Sequence, residues 1–243
     1  MNNNKYESEP YVEIMTIPSS SFSDDQIRLD AAHYSKARPE TIRLLVNSGY
    51  ALKPLKDWCQ SIFNLARFKR VYATNPGDGW PYMTPGRLVM FRCHEGPHRF
   101  LSKTRAPKNA KKYFVKEDWV LITCSGTVGR ALLATKSLEK YFFTHDLIRI
   151  EPKPGVKTGY LTAFFSSNIG QTLIKDEYGG TIDHIEPVHI ENLPIPNIPE
   201  ETQTKIHSMV KEAYVLRDKA NYLLNEAEKL VESTILKNIP GEN

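Results

Sequence analysis

Residues 206–234 read IHSMVKEAYVLRDKANYLLNEAEKLVEST, and their spacing divides the chain into a body and an arm. Steps of seven from Ile206 give Ala213, Ala220, Ala227 and Thr234 on one line. A second line, three residues on, holds Met209, Leu216, Leu223 and Leu230, widened by Val210, Leu224 and Val231. This is an a/d pattern sustained over four heptads, the mark of a coiled-coil seam. Alanine at a facing leucine at d suits two helices packed closely, because the small side chain lets the backbones approach. A helix over 200–237 runs about 55 Å. That is too long to bury its stripe against one compact domain, so a second helix is the expected cover.

Outside the arm, composition describes an ordinary globular body. The chain has 243 residues, 40% of them hydrophobic and 25% charged. The net charge of +4 is unevenly placed: residues 200–243 carry six cations against eight acids, which leaves +6 on residues 1–199. A basic body with an acidic helical tail fits a polyanion at the body and a protein at the tail. Cys59, Cys93 and Cys124 are odd in number and show no CxxC spacing, which argues against a disulfide framework and a zinc ribbon. No apolar run reaches membrane-spanning length, and the opening MNNNKYESEP lacks the shape of a signal peptide. A cytoplasmic protein with no membrane partner is expected.

Along the body, residues 1–22 read as an N-terminal arm. Residues 23–49 read as two helical pieces broken near Ala37-Arg38-Pro39, with Gly49 closing the second. Residues 50–129 alternate short apolar runs with Asn75-Pro76-Gly77, Gly79-Trp80-Pro81, Pro85-Gly86 and Gly96-Pro97, a pattern of short strands and ordered loops. Strands are expected at 118–123 and 147–150, and a helix at 159–175 with Leu161, Phe164, Phe165, Ile169 and Leu173 on its apolar face. The four prolines of 187–199 predict a stiff extended spacer ending in a hinge at 196–199. Residues 238–243 form a tail. The fold class is therefore mixed α/β (α+β), carrying a long C-terminal coiled-coil helix.

The catalytic motifs do not hold together. His94-Glu95-Gly96-Pro97-His98 spells HExxH, but zinc binding needs both histidines one helical turn apart, and Gly96-Pro97 breaks that turn. Asn75-Pro76-Gly77-Asp78 lacks the second proline and the aromatic of an adenine clamp. No phosphate-cradling glycine motif is present, and Glu151-Pro152-Lys153 has the spacing of a metal-dependent nuclease without a carboxylate from a separate strand. No catalytic residue, no metal ligand and no cofactor is expected on this chain.

Basic residues carry more. Between Glu95 and Glu117 there is no acid, while Arg99, Lys103, Arg105, Lys108, Lys111 and Lys112 all fall there, flanked by Phe100, Tyr113 and Phe114. Cations spread along a loop suit phosphate contacts, and Arg105 could read a guanine edge in a bidentate manner. A solvated loop is the competing reading. Arg67, Lys69 and Arg70 beside Tyr72 form a second cluster. Ser125-Gly126-Thr127-Val128-Gly129 is a tight turn needing its glycines, expected to redirect the chain rather than bind an anion. Gly179-Gly180-Thr181 before Asp183-His184 is a small-residue loop able to lie close to a ligand, with Thr181 and His184 as candidate donors.

Taken in order, these segments resemble one family. Asp118-Trp119-Val120-Leu121-Ile122 followed by Ser125-Gly126-Thr127-Val128-Gly129-Arg130 is similar to the GDVLIS-like strand and SGTxG turn in target recognition domains of type I restriction-modification specificity subunits. Glu117 stands where the family has glycine, and Thr123-Cys124 replaces its polar pair. Thr144 to Ile150, Gly159 to Ser167, Gly179 to Pro187, Leu193-Pro194-Ile195-Pro196, the heptad helix and even Arg28-Leu29-Asp30 through Tyr34 resemble the family in the same order. The resemblance implies a DNA target recognition domain at 23–195 and a helix at 200–237 that pairs and docks partners. Family members carry two such domains and two helices; the single set here resembles a half-subunit.

The resemblance further implies a noncatalytic subunit reading one half of a bipartite duplex target. Its partners would be a second specificity chain, in a homodimer or mixed pair, a DNA methyltransferase subunit holding S-adenosylmethionine, and a restriction subunit where cleavage accompanies modification. The expected DNA contacts are Lys103, Arg105, Lys108, Lys111 and Lys112, then Arg67, Lys69, Arg70, Thr181 and His184. Ser125, Gly126, Thr127 and Gly129 shape the turn. Ile206, Met209, Ala213, Leu216, Ala220, Leu223, Ala227 and Leu230 form the pairing seam. A structural adaptor without sequence readout and a metal-dependent nuclease are the rival readings.

Overall fold

In a computed structural model, the structure describes residue 16 and residues 37–89, 99–175 and 184–236. The expected arm at 1–22 apart from residue 16, the Arg28 to Tyr34 opening, the HExxH run, the Gly179-Gly180-Thr181 loop with Thr181, and the tail at 238–243 lie outside the described residues. Helix α1 (Ala37–Asn47) keeps Pro39 in its first turn, where a missing N–H costs nothing. Gly49 follows it with φ +75°, the left-handed closure the sequence predicts.

The centre of the body is an antiparallel sheet in the order β2 (Cys59–Phe63), β8 (Leu147–Pro152), β5 (Val120–Thr123), β6 (Ala131–Leu133). Every residue of β5 is buried, because the sheet is covered on both faces. Val120 and Ile122 point into one apolar cluster, with Ile148 and Ile150 of β8. Leu121 points into another, with Trp119, Leu132 and Leu147. Strand periodicity of two thus becomes a continuous apolar run.

The first cluster is capped by two helices, α3 (Thr158–Ser166) and α4 (Asn168–Lys175), where the sequence predicts one helix over 159–175. The break is at Ser167. Its hydroxyl donates to the Phe164 carbonyl and accepts the Gly170 N–H, so a side chain caps the new helix. Gly170 is held there by contact: a Cβ on it would lie 2.2 Å from the Phe164 carbonyl oxygen. Leu161, Phe165 and Leu173 are fully buried, as their apolar spacing predicts.

A second sheet joins β4 (Phe100–Ser102) and β7 (Phe142–Phe143) to the two edges of β3 (Gly79–Met83), antiparallel and parallel respectively. The short helix α2 (Pro85–Val89) follows β3. Residues 187–199 are not the stiff extended spacer that their prolines predict, because they fold into the body. They form a helical turn, α5 (Pro187–Ile190), and a strand, β9 (Pro194–Pro196), that pairs with β1 (Leu52–Pro54). The Asn197 N–H donates to the Ala51 carbonyl at 2.8 Å, and the Tyr160 hydroxyl donates to the Pro196 carbonyl at 2.5 Å. Proline is tolerated in so short an edge pair because few ladder bonds are needed.

From that clamp rises α6 (Glu200–Leu236), 37 residues long and about 55 Å in length. Its first half lies on α3 at Gly159, where a Cβ would come within 2.7 Å of the His207 Cα. The Gly159 N–H donates to His207 Nδ1 at 2.9 Å. Gln203, Arg217 and Asn221 are buried against the body, at 7%, 9% and 5% exposure. The heptad line Met209, Leu216, Leu223 and Leu230 is 55–67% exposed. Ile206, at the start of the other line, packs on the core of the body. Residues 226–236 are exposed throughout. Among the described residues no helix is long and apolar enough to cross a membrane.

Candidate nucleic-acid interface

The two basic clusters, separate in sequence, meet in the structure. The segment between β2 and β3 runs along both flanks of the basic loop. At one flank the Tyr113 hydroxyl donates to the Ala66 carbonyl at 2.8 Å, and Phe68 packs edge-on against the Tyr113 ring. At the other, the Ala73 N–H donates to the Phe100 carbonyl and the Ser102 N–H to the Val71 carbonyl. Arg67, Lys69 and Arg70 are thereby carried beside residues 99–113. Aromatic packing fixes the junction: Phe142 stacks on Tyr113 at 4.9 Å and on Trp80 at 5.7 Å.

Where the clusters meet, Arg70, Tyr72, Tyr82, Thr84, Arg87 and Arg99 line a cleft of about 260 Å³. The Arg99 guanidinium lies 5.3 Å from the Tyr72 ring centroid, Tyr72 is edge-on to Tyr82 at 6.1 Å, and Arg70 lies 5.9 Å from Tyr82. Cation–π contacts of this kind orient a guanidinium without neutralising it. Tyr82 is buried, and burial raises its hydroxyl pKa above the ordinary value, so the phenol stays neutral. No carboxylate lines this cleft among the described residues.

Behind the cleft, Asp146 collects the polar groups of three segments. Its carboxylate accepts the Ser125 hydroxyl at 2.7 Å and the Thr144 hydroxyl at 2.6 Å, with Arg70 at 3.5 Å and His145 at 3.1 Å. Burial alone would raise the Asp146 carboxyl; the two hydroxyls, His145 and Arg70 outweigh it and hold the group below the ordinary carboxylate value. Asp146 therefore stays ionised beside the Arg70 guanidinium.

The Ser125 to Gly129 turn has the glycine-dependent geometry that the sequence predicts. Gly126 and Gly129 have φ of +74° and +84°, a region closed to most side chains. The Thr123 hydroxyl donates to the Thr127 carbonyl, and Gln171 Nε2 donates to the Gly129 carbonyl at 2.7 Å. Ser125 also bridges to His184. The His184 ring is bound to Glu186 at 2.9 Å, and Asn64 donates to the same carboxylate at 2.7 Å. The bond from His184, more than any other contact, lowers the Glu186 pKa. His184 thus sits at the surface with a carboxylate beside it, a poorer phosphate donor than its position in the sequence suggests.

The basic loop is pinned at both ends. The Lys103 N–H donates to the Asp78 carbonyl, and Lys103 Nζ to the Gly77 carbonyl at 2.8 Å. Beneath the other end lies Arg149, with no solvent exposure. Its guanidinium donates to the carbonyls of Leu147, Thr144 and Tyr113 at 3.0, 3.0 and 3.4 Å. Burial pushes its pKa down to about 10, so it remains charged at neutral pH and ties the loop to the start of β8. Between these posts Arg105, Lys108, Lys111 and Lys112 are exposed and form no ion pair among the described residues. Lys111 and Lys112 border a separate cavity of about 590 Å³ with Phe63, Phe114 and Trp119.

Of the cleft residues, Tyr72, Tyr82, Arg87, Arg99 and the supporting Asp146 are not candidate contacts from sequence alone. Arg99 stands in the acid-free run, but nothing local separates it from its neighbours. Glu151 accepts the Ser61 hydroxyl at 3.0 Å, while Lys153 Nζ donates to the Asp57 carbonyl. Among the described residues no group of histidine, cysteine or carboxylate side chains is arranged to hold a metal ion.

The described residues form a mixed-sheet body with an arginine-lined cleft, from which one long helix projects. The family is that of the Type I restriction modification DNA specificity domain: its model matches residues 47–228, and the chain belongs to it. A comparison with curated proteins finds no match. Among solved structures, the chain is similar to the type IIG restriction endonuclease BpuSI, with a TM-score of 0.52 and 14% identity over 74% of this chain and 28% of that one. A chain from a type I R-M system solved for its complex assembly and conformational transition gives 0.49 and 17%, covering 82% and 50%. The HsdS subunit from Thermoanaerobacter tengcongensis gives 0.47 and 17%, covering 76% and 47%. The chain spans half or less of the length of these structures.

Proposed function

We propose that this chain is a noncatalytic sequence-recognition subunit that reads one half of a bipartite DNA duplex. The body makes the DNA contacts, through the cleft and the basic loop. The exposed heptad face of α6 pairs with the helix of another specificity chain, and the arm docks a methyltransferase subunit. S-adenosylmethionine chemistry, base flipping and any cleavage belong to partner chains in this reading, in a cytoplasmic complex. The observation that carries the proposal is the meeting of two distant basic segments on a rigid aromatic and hydrogen-bonded base, in a chain of this family. Phosphate contacts from such a surface set register, and side chains from its loop read the base edges.

Arg105 is the assigned base reader, since it is exposed on the loop between two pinned ends. Selection from random duplex DNA tests the function, using the chain co-purified with its native partner. Enrichment of a split motif with a fixed spacer is expected, inverted halves indicating a homodimer and unequal halves a mixed pair. Salt-dependent duplex binding with no enriched motif would overturn sequence readout and leave the adaptor reading.

A further inference from the structure

We infer that the Arg70–Arg87–Arg99 cleft is a seat for one DNA backbone phosphate, and takes no part in base readout. The inference rests on the reading of the body as a duplex-binding surface and adds which chemical group each part of it meets. Base edges lie at the floor of grooves about 8.5 Å deep in the major groove and about 7.5 Å in the minor. Only a side chain that projects from the protein can reach them.

The cleft is built the opposite way. Its arginines share one concavity: Arg99, though exposed, is laid over the Tyr72 face, and Arg70, also exposed, over the Tyr82 face with Asp146 beside it. Cations laid flat against aromatic faces around one concavity suit a group that protrudes toward them, and on a duplex the protruding groups are the phosphates. Volume and chemistry agree with this. About 260 Å³ lined by three arginines, a threonine hydroxyl and two tyrosines suits a compact multivalent acceptor, and paired N–H donors of arginine match phosphate oxygens. A base edge would need one oriented fork, with no use for several guanidiniums around one cavity. Asp146, 3.5 Å from one Arg70 guanidinium nitrogen, acts here as a positioning residue.

The test is Arg99→Ala in the chain co-purified with its partner, titrated with one motif-bearing and one scrambled duplex over a range of salt. Affinity for both duplexes should fall about tenfold, the value of one charge-assisted contact, with their ratio unchanged. The slope of log K against log salt should lose about 0.9, the share of one phosphate. Arg99→Lys should keep the slope, since the charge remains. Loss confined to the motif-bearing duplex would make the cleft a base reader and overturn the proposal, and so would an unchanged slope with the fold intact by thermal melting. An equal loss on both duplexes, in a protein that selects no motif at all, would support the phosphate seat while sinking sequence readout.

Discussion

The two faces of α6 are arranged against the usual rule. With Ile206 packed on the core and Val210 and Leu224 half-buried, the face laid on the body otherwise carries Gln203, His207, Lys211, Tyr214, Arg217, Asp218 and Asn221; the face turned to solvent carries Met209, Leu216, Leu223 and Leu230. A surface helix normally does the reverse. The inner face is held by specific bonds: Gln203 Nε2 to the Ile198 carbonyl at 2.7 Å, Gly159 N–H to His207, Lys211 to Asp118 at 2.9 Å, and the Ser137 hydroxyl to Asp218 at 2.7 Å. Arg217 folds over Tyr214 at 4.2 Å. Directional bonds set the angle at which the helix leaves the body. The apolar surface, which supplies adhesion without direction, is kept for something outside the chain.

The largest expected effect comes from charging the outer face. Each leucine buried between paired helices contributes about 1.5–3 kcal/mol. Leu216→Glu combined with Leu223→Glu should therefore raise the dissociation constant of a helix pair about a thousandfold or more. Melting of the unpaired chain should shift by less than about 0.5 kcal/mol. Ala220→Glu, at the other line of the seam, should act in the same direction. Sedimentation reads the pairing, and an unchanged mass would mean that the outer face is not a seam.

Next comes the inner face at its tightest point. Gly159→Ala places a methyl 2.7 Å from the His207 Cα, which is backbone and cannot swing aside. A loss of about 1–3 kcal/mol is expected in thermal unfolding, with the pairing surface untouched. A silent substitution would show that the helix rests on the body more loosely than the glycine contact implies.

A pH titration should then separate the faces further. The His207 pKa lies below its ordinary 6.5, chiefly through burial, with Lys211 and Lys157 pushing the same way and Asp118 opposing them. The unfolded chain therefore takes up its proton first as pH falls. His207 contributes stability that is fully present above about 6.5 and lost as pH drops through the depressed folded-state value. His207→Gln should flatten this acid-side slope, although His145, likewise depressed by burial, retains part of it. An identical slope in the variant would remove His207 from the account. The smallest change is Lys211→Ala, which deletes a half-exposed ion pair with Asp118 and should cost about 0.2–1 kcal/mol.

Legibility from sequence followed the range of the interactions. Strands β5 and β8 were readable because burial on both faces writes a continuous apolar run, and the Ser125 to Gly129 turn because positive φ writes glycine. The joint at Ser167 was hidden: a serine hydroxyl and a glycine against a carbonyl look, in sequence, like ordinary helix residues. The Pro187 to Pro199 stretch read as a spacer because its proline content is local, while its partner strand begins at Leu52. The cleft was hidden for the same reason, since Arg70, Arg87 and Arg99 meet only when β4 bonds both to β3 and to residues 71–73.

The arm shows the division most sharply. By itself the sequence determined that a helix of this length exists and that an apolar stripe follows its heptad lines, because periodicity is a property of neighbours along one chain. Which face the body would hold was decided only by tertiary structure. Hydropathy records how strongly each face avoids water, but not that a glycine on α3 admits the His207 backbone or that a carbonyl, a carboxylate and a hydroxyl wait at the right heights. Those bonds turn a mostly polar face inward and leave Leu216, Leu223 and Leu230 outside.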